Sequence, residues 1–213
     1  MKVLIGMPTL GEIPVKTVAS LLALDKPAGS EIGFVSNSLV YDARNELCQR
    51  AINGGFDYLF FLDSDMIFPA DTLTKLMALN TDIATAVCYA RQGKHEPCIY
   101  EKLVKRNLFH ESAAECFTDV SKGVFDVAGC GMAVCLIKAD VLKRLVKKYK
   151  GTPFEPFGNM GEDLAFCYRA RKLGYKIKAD GAIPIGHIGE SVITQIDYIT
   201  TIRRATTCGK FGV

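Results

Sequence analysis

No Cys-x-x-Cys pair occurs in this sequence, although it has eight cysteines: Cys48, Cys88, Cys98, Cys116, Cys130, Cys135, Cys167 and Cys208. That spacing argues against a zinc site. Most of the eight sit in apolar stretches, so free buried thiols in a reducing compartment are expected rather than a disulfide framework. No apolar run approaches the length needed to span a bilayer. The N-terminus passes from Met1-Lys2 straight into Val3-Leu4-Ile5-Gly6-Met7-Pro8, with no room for a signal peptide, and a cytoplasmic protein is expected. Charge of one sign is not in excess: the formal net charge is +3, which gives no reason to expect a nucleic-acid partner. Internal repeats, low-complexity tracts and an interdomain linker are also missing.

What remains is an ordinary soluble composition. At 213 residues and 49% hydrophobic content, the chain is long enough for one domain with a sizeable core. Strand and helix signals alternate over the first ninety residues. Val3–Met7, Ile32–Val35, Tyr58–Leu62 and Ile83–Tyr89 read as strands. Val15–Leu24, Tyr41–Asn53 and a segment opened by Pro69 read as helices. The alternation predicts an α/β fold, a mainly parallel sheet with helices on both faces. Ligands of such sheets bind beyond the carboxyl ends of the strands.

The second half is less regular. Residues 91–122 mix charge, proline and aromatics, and short strands and mobile loops are expected there. Phe125–Ile137 reads as one strand that kinks at Gly129 and Gly131. Lys138–Tyr149 is an amphipathic helix with its lysines outward. Its basic face reads as solvated, with contact to a membrane or an anionic acceptor as the minor reading. Glu162–Leu173 is a further helix stopped by Gly174, and Tyr175–Lys178 a final strand. Residues 191–213 read as one helix with a loose end.

The most informative motif is Asp63-Ser64-Asp65, at the end of the apolar run Tyr58–Leu62. In an extended chain the two carboxylates point to the same side. They would repel unless a cation lies between them, and a hard divalent ion that also takes up a diphosphate suits the arrangement. The alternative is helix capping, which Asp and Ser also favour. Gly161-Glu162-Asp163 opens a helix; its carboxylates either complement the helix dipole or supply a general base facing a cleft. His187, in Gly186-His187-Ile188-Gly189, is the third feature. A lone histidine is often structural, but this one lies between glycines, where backbone can approach a ligand, and an imidazole suits Mn²⁺ better than Mg²⁺. His95 and His110 fall in the irregular stretch. Arg44 near the start of a helix is either a surface residue or a contact for the anionic part of a nucleotide.

In this order and spacing, the features resemble a glycosyltransferase of the GT-A fold, close to the family 2 group. The likeness spans residues 1–189. It rests on Met7-Pro8-Thr9, Ala43-Arg44-Asn45, Leu62-Asp63-Ser64-Asp65, Gly161-Glu162-Asp163-Leu164 and His187. It implies a Rossmann-like three-layer α/β/α domain with a small acceptor-side subregion. Residues 1–90 would be the nucleotide-binding half, 91–190 the acceptor and catalytic half, and 191–213 a C-terminal helix and tail. Asp65 would bind a divalent Mn²⁺ or Mg²⁺ directly, and His187 would take the third metal position. Asp63, with Ser64 beside it, would hold the ribose or a metal-bound water. Pro8 and Thr9 would line the base pocket, helped by Ser36 or Asn37, and Arg44 would approach base or diphosphate. Asp163 would be the base of an inverting transfer, with Glu162 as its neighbour. Gly129–Met132 would floor the donor sugar and acceptor.

The implied reaction moves a hexose from a nucleoside diphosphate donor to an acceptor hydroxyl on a glycan, a lipid-linked molecule or a protein. A uridine donor comes first and a guanosine donor next, on how often this fold uses them. The chain departs from the family in being short: the usual acceptor-side extension and membrane tail are missing after His187, and residues 191–213 are expected to pack on the core or on a second subunit. The glutamine- and arginine-rich acceptor motif of processive synthases is absent, which points to single additions. A sugar nucleotidyltransferase is the first alternative, opposed by Pro8-Thr9-Leu10-Gly11-Glu12-Ile13-Pro14 where those enzymes carry a glycine-rich basic loop. A non-catalytic carbohydrate- or nucleotide-binding protein is the second.

Overall fold

The computed structural model describes residues 1–103, 114–117, 120, 123–189 and 192–208, with 114–116 and 202–208 as backbone only. The first half alternates as expected: β1 (Val3–Thr9), α1 (Val15–Ala23), β2 (Glu31–Ser36), α2 (Val40–Asn53), β3 (Tyr58–Leu62), β4 (Met66–Ile67), α3 (Thr72–Ala78) and β5 (Ile83–Ala86). There follow β6 (Ile99–Leu103), β7 (Ala114–Cys116), β8 (Val124–Val127), β9 (Gly129–Cys130) and β10 (Val134–Lys138). The chain continues through α4 (Ala139–Lys148), α5 (Glu162–Lys172), β11 (Ile177–Asp180), β12 (Gly186–Ile188), β13 (Val192–Ile193) and α6 (Gln195–Cys208).

Seven strands form the central sheet in the order β2-β1-β3-β10-β5-β11-β8. β10 runs antiparallel to both its neighbours, and β8 antiparallel to β11; the other five strands run the same way. Period-two alternation sorts the sheet's side chains into two cores. Leu4, Leu59, Phe61, Cys135 and Ile137 join α2, α4 and α5 on one face. Ile5, Phe60, Leu62, Val134 and Leu136 join α1 and α3 on the other. Gly6 permits the close packing of α2: a Cβ there would lie 3.0 Å from Leu59 and 3.2 Å from Leu47. The result is the three-layer α/β/α arrangement.

Two small sheets flank the large one, in the orders β13-β12-β4 and β7-β6-β9. They correct three sequence expectations. Phe125–Ile137 is not one kinked strand but three, β8, β9 and β10, belonging to two sheets. Tyr175–Lys178 does not hold the final strand, because β12 and β13 follow β11. The segment from 191 is not helical throughout: β13 precedes α6, whose start is held by Asp197 accepting hydrogen bonds from the Thr194 amide and hydroxyl, both at 2.8 Å. The expected loose end, 209–213, lies outside the described residues, as do 104–113, 118, 119, 121 and 122 of the irregular region expected over 91–122. Cys48, Cys88, Cys130, Cys135 and Cys167 carry free thiols.

Candidate active site

The direction of β10 positions the site. Because it runs antiparallel to β3, its start lies against the end of β3: Leu62 pairs with Val134, and the Asp63 amide donates to the Ala133 carbonyl at 2.9 Å. Gly129–Met132 therefore lies at the carboxyl ends of the parallel strands, where ligands of such sheets bind. Residues 63–65 themselves form a turn between β3 and β4, closed by the Met66 amide on the Asp63 carbonyl at 3.3 Å. The same-side argument for an extended chain thus does not hold. Each carboxylate instead faces a different cation.

Asp63 faces Arg44. The guanidinium Nη2 lies 3.0 Å from Oδ1 and 3.3 Å from Oδ2. Arg44 Nε also makes a looser ion pair with Glu162 Oε1 at 3.8 Å. The arginine is 3% exposed and lies over the Phe61 ring, 5.2 Å from its centroid. Burial works against its charge, but Asp63, Asp163 and Glu162 outweigh burial and raise its pKa. Nε and Nη1 have no hydrogen-bond partner among the described residues. Arg44, expected to approach the base or the diphosphate, is a buried link between the two acidic motifs.

Asp65 faces His187 and Arg91. Its Oδ2 lies 3.3 Å from His187 Nε2 and 3.0 Å from Arg91 Nη1. Pairing of β12 with β4 sets His187 opposite Met66, and the Ile188 amide donates to the Asp65 carbonyl at 2.8 Å. His187 Nδ1 lies 2.7 Å from the Tyr89 carbonyl. A carbonyl only accepts, so Nδ1 carries the hydrogen, and in the neutral ring Nε2 presents its lone pair toward Asp65. Burial pushes the Asp65 carboxyl up, but His187 and Arg91 bring it below its ordinary value. Burial likewise lowers the imidazole, while Asp65 and the Tyr89 carbonyl raise it overall.

Asp163 sits in the first turn of α5, partly exposed, with its Oδ1 accepting the Leu164 amide at 3.0 Å. Burial, then the neighbouring Glu162, push its pKa up to about 6, against the opposing pull of Arg44. Gly131 lies beside it: a Cβ there would be 3.7 Å from Asp163 Oδ2. The absence of a side chain leaves room at that oxygen.

The structure brings Asp65 and His187 together, and ties Asp63 and Glu162 to Arg44, with Asp163 near enough to feel its charge. Among the described residues no group of three metal-ligating side chains is gathered. The Asp65–His187 pair still has the chemistry of a partial site, one carboxylate oxygen and one imidazole nitrogen held by a backbone carbonyl. Pro8 is buried at the end of β1. Thr9 Oγ1 accepts from the Gly11 amide at 3.2 Å and donates to the Glu12 carbonyl at 3.0 Å. Asn37, exposed with φ 57°, turns the chain at the end of β2; a Cβ on Gly11 would lie 4.0 Å from its Oδ1. Ser64 is partly exposed within the turn. Arg91 and Tyr89 were missed as site residues. Both act across a large sequence separation, and the Tyr89 contribution is a backbone atom, which leaves no sequence signal.

No protein-family model matches the chain, and no curated protein matches it. Solved structures do. A197 from STIV superposes with a TM-score of 0.62 at 19% identity, covering 89% of this chain and 86% of that one. S. aureus TarS 1–349 in complex with UDP-GlcNAc superposes with a TM-score of 0.52 at 14% identity, covering 96% of this chain and 65% of that one. At these identities the likeness speaks for the fold: the chain is a mixed α/β domain of the GT-A-like kind.

Proposed function

We propose that the protein is a divalent-metal-dependent glycosyltransferase that moves a sugar from a nucleoside diphosphate donor to an acceptor hydroxyl. The observation that carries this is the shared cation Arg44, which ties Asp63 of the first acidic motif to Glu162 of the second, beside Asp163. Two motifs a hundred residues apart in sequence thus converge on one face of the sheet. The binding of UDP-GlcNAc by TarS, a protein of the same fold, supports a nucleotide-sugar donor.

Asp65 Oδ2 and His187 Nε2 would hold the metal, with Arg91 giving way at Asp65. When bound, the ion supplies positive charge where the diphosphate departs. Thr9 and Asn37, at the ends of β1 and β2, would flank the base. Asp163, ionised above about pH 6, takes the proton of the acceptor hydroxyl. The hydroxyl oxygen then bonds to the anomeric carbon as the bond to the diphosphate breaks on the opposite face, and the configuration inverts. The hydroxyl would approach beside Gly131, where no side chain stands over Asp163. Arg44 keeps Asp63 oriented and limits the rise in the Asp163 pKa.

Calorimetric titration with UDP, GDP, CDP and dTDP, with and without Mn²⁺, tests this reading. One diphosphate is expected to bind only with metal, and Asp65→Ala should abolish that binding. Failure of all four would sink the donor assignment.

A further inference from the structure

The segment after β5 touches both members of the Asp65–His187 pair. The Tyr89 carbonyl lies 2.7 Å from His187 Nδ1, and two residues on, Arg91 Nη1 lies 3.0 Å from Asp65 Oδ2. That oxygen is also the one that faces His187 Nε2, at 3.3 Å. The backbone beneath Arg91 is fixed. Tyr89 bridges to Pro97, the Ala90 amide donates to the Glu96 carbonyl at 2.9 Å, and His95 Nδ1 donates to the Ala90 carbonyl at 3.0 Å. Residues 91–94 are the exposed tip of this turn, with Gly93 at φ 72° and His95 at φ 52° closing it. The Arg91 side chain is 52% exposed, against 3% for Arg44, so it is free to swing off Asp65 without uncovering the core. Asp65 is its one ion-pair partner among the described residues.

We propose that Arg91 is a tethered stand-in for the divalent ion on Asp65, and that it transfers to the diphosphate of the donor when the ion binds. This rests on the metal-dependent donor reading above. A guanidinium is charged at every working pH, so in the metal-free chain Arg91 neutralises the carboxylate oxygen that the pair presents. A guanidinium and a divalent ion on the same oxygen repel, so Arg91 leaves when the site is loaded. Its turn is held at the base, so the guanidinium stays within a side chain's reach of Asp65. The ligand of matching charge there is the diphosphate, whose oxygens accept both prongs of the arginine fork. In that position Arg91 adds positive charge where the leaving group departs. The one residue therefore has two opposed effects. It competes with the metal when the donor is absent, and it holds the diphosphate once the metal is in place. Metal and diphosphate each draw Arg91 away from the other's obstacle, so the two bind best together.

Two titrations of the 213-residue chain test the proposal. In the first, Mn²⁺ alone is added and its free concentration followed by electron paramagnetic resonance. Arg91→Ala should bind Mn²⁺ about two- to fivefold more tightly than the wild type, because a half-exposed ion pair no longer competes. In the second, UDP, GDP, CDP and dTDP are titrated by calorimetry at saturating Mn²⁺. The diphosphate that the wild type binds should bind Arg91→Ala about tenfold or more weakly. Lys94→Ala, which removes a charge from the same turn, should leave the binding of Mn²⁺ alone unchanged, and circular dichroism checks the folding of both variants. If Arg91→Ala gains no Mn²⁺ affinity, or loses no diphosphate affinity, the proposal is overturned while the donor reading stands. An equal gain in Lys94→Ala overturns it too, by tracing the effect to overall charge. A wild type that binds none of the four diphosphates with Mn²⁺ sinks the donor reading itself, and the transfer of Arg91 with it.

Discussion

His187 Nε2 stands 3.3 Å from Asp65 Oδ2, although the two residues lie 122 positions apart in sequence; the pairing of β12 with β4 brings them together. The Tyr89 carbonyl, by holding Nδ1–H, fixes which nitrogen meets the carboxylate. Such outer hydrogen bonds orient ligands and raise their basicity. His187→Ala is expected to weaken Mn²⁺-dependent diphosphate binding by about 10- to 100-fold, read by calorimetry. Asp65→Ala should abolish it. Binding in His187→Ala that matches the wild type would remove the histidine from the metal set.

Asp163 gives a pH dependence with a definite sign. Only its carboxylate accepts a proton, so kcat/KM should rise with pH through about 6 and level off above. Asp163→Asn should lower kcat by about 10²- to 10⁴-fold while leaving donor binding intact. A near-normal turnover in that variant would refute the base assignment.

The same carboxyl has an opposite effect on stability. Its folded pKa lies above the ordinary value, so the folded state binds the extra proton. The stabilisation is complete below the ordinary carboxyl pKa and is lost as pH rises through about 6. At neutral pH, Asp163→Asn should therefore be the more stable protein, by on the order of 1 kcal/mol, measured by urea unfolding. An inactive variant of raised stability is the signature of a group held in place for its chemistry.

Removing Arg44 should cost more than removing any one of its partners. Arg44→Met leaves Asp63, Glu162 and Asp163 without their common cation, at a cost on the order of 3 kcal/mol. The urea midpoint should fall with little change in slope. Any residual activity should rise with pH at a higher midpoint than in the wild type, because Arg44 holds the Asp163 pKa down.

Phe154 tests the core beneath the site. It is fully buried, stacks on Phe166 with centroids 4.3 Å apart and meets Phe61 edge-on at 5.5 Å. Its amide donates to Asn45 Oδ1 at 3.0 Å, tying it to α2 next to Arg44. Phe154→Ala should cost about 3–5 kcal/mol, seen as a lower urea midpoint.

The parts of the fold legible in the sequence are those with a long repeat of one period. The apolar run Tyr58–Leu62 and the amphipathic Lys138–Tyr149 both signal their elements and orientation. β4, β12 and β13 are two or three residues long, too short for any period to show, and they are the strands that bring His187 to Asp65. The split of Phe125–Ile137 was hidden because Gly129 and Gly131 read equally as a kink or as a change of sheet. Arg44 is a different case. An arginine near a helix start reads as a surface group or as a nucleotide contact, and only the tertiary fold reveals two acidic motifs converging on it.

β10 is wedged between β3 and β5, and it is made some fifty residues after β5. During synthesis, β3 and β5 must wait with bare edges until residue 138 has left the ribosome. Unpaired apolar edges are the template for wrong partners. The interval in which the growing chain is prone to aggregate therefore closes late, and a release factor or protease acting before residue 138 would free a fragment with no way to complete its own sheet.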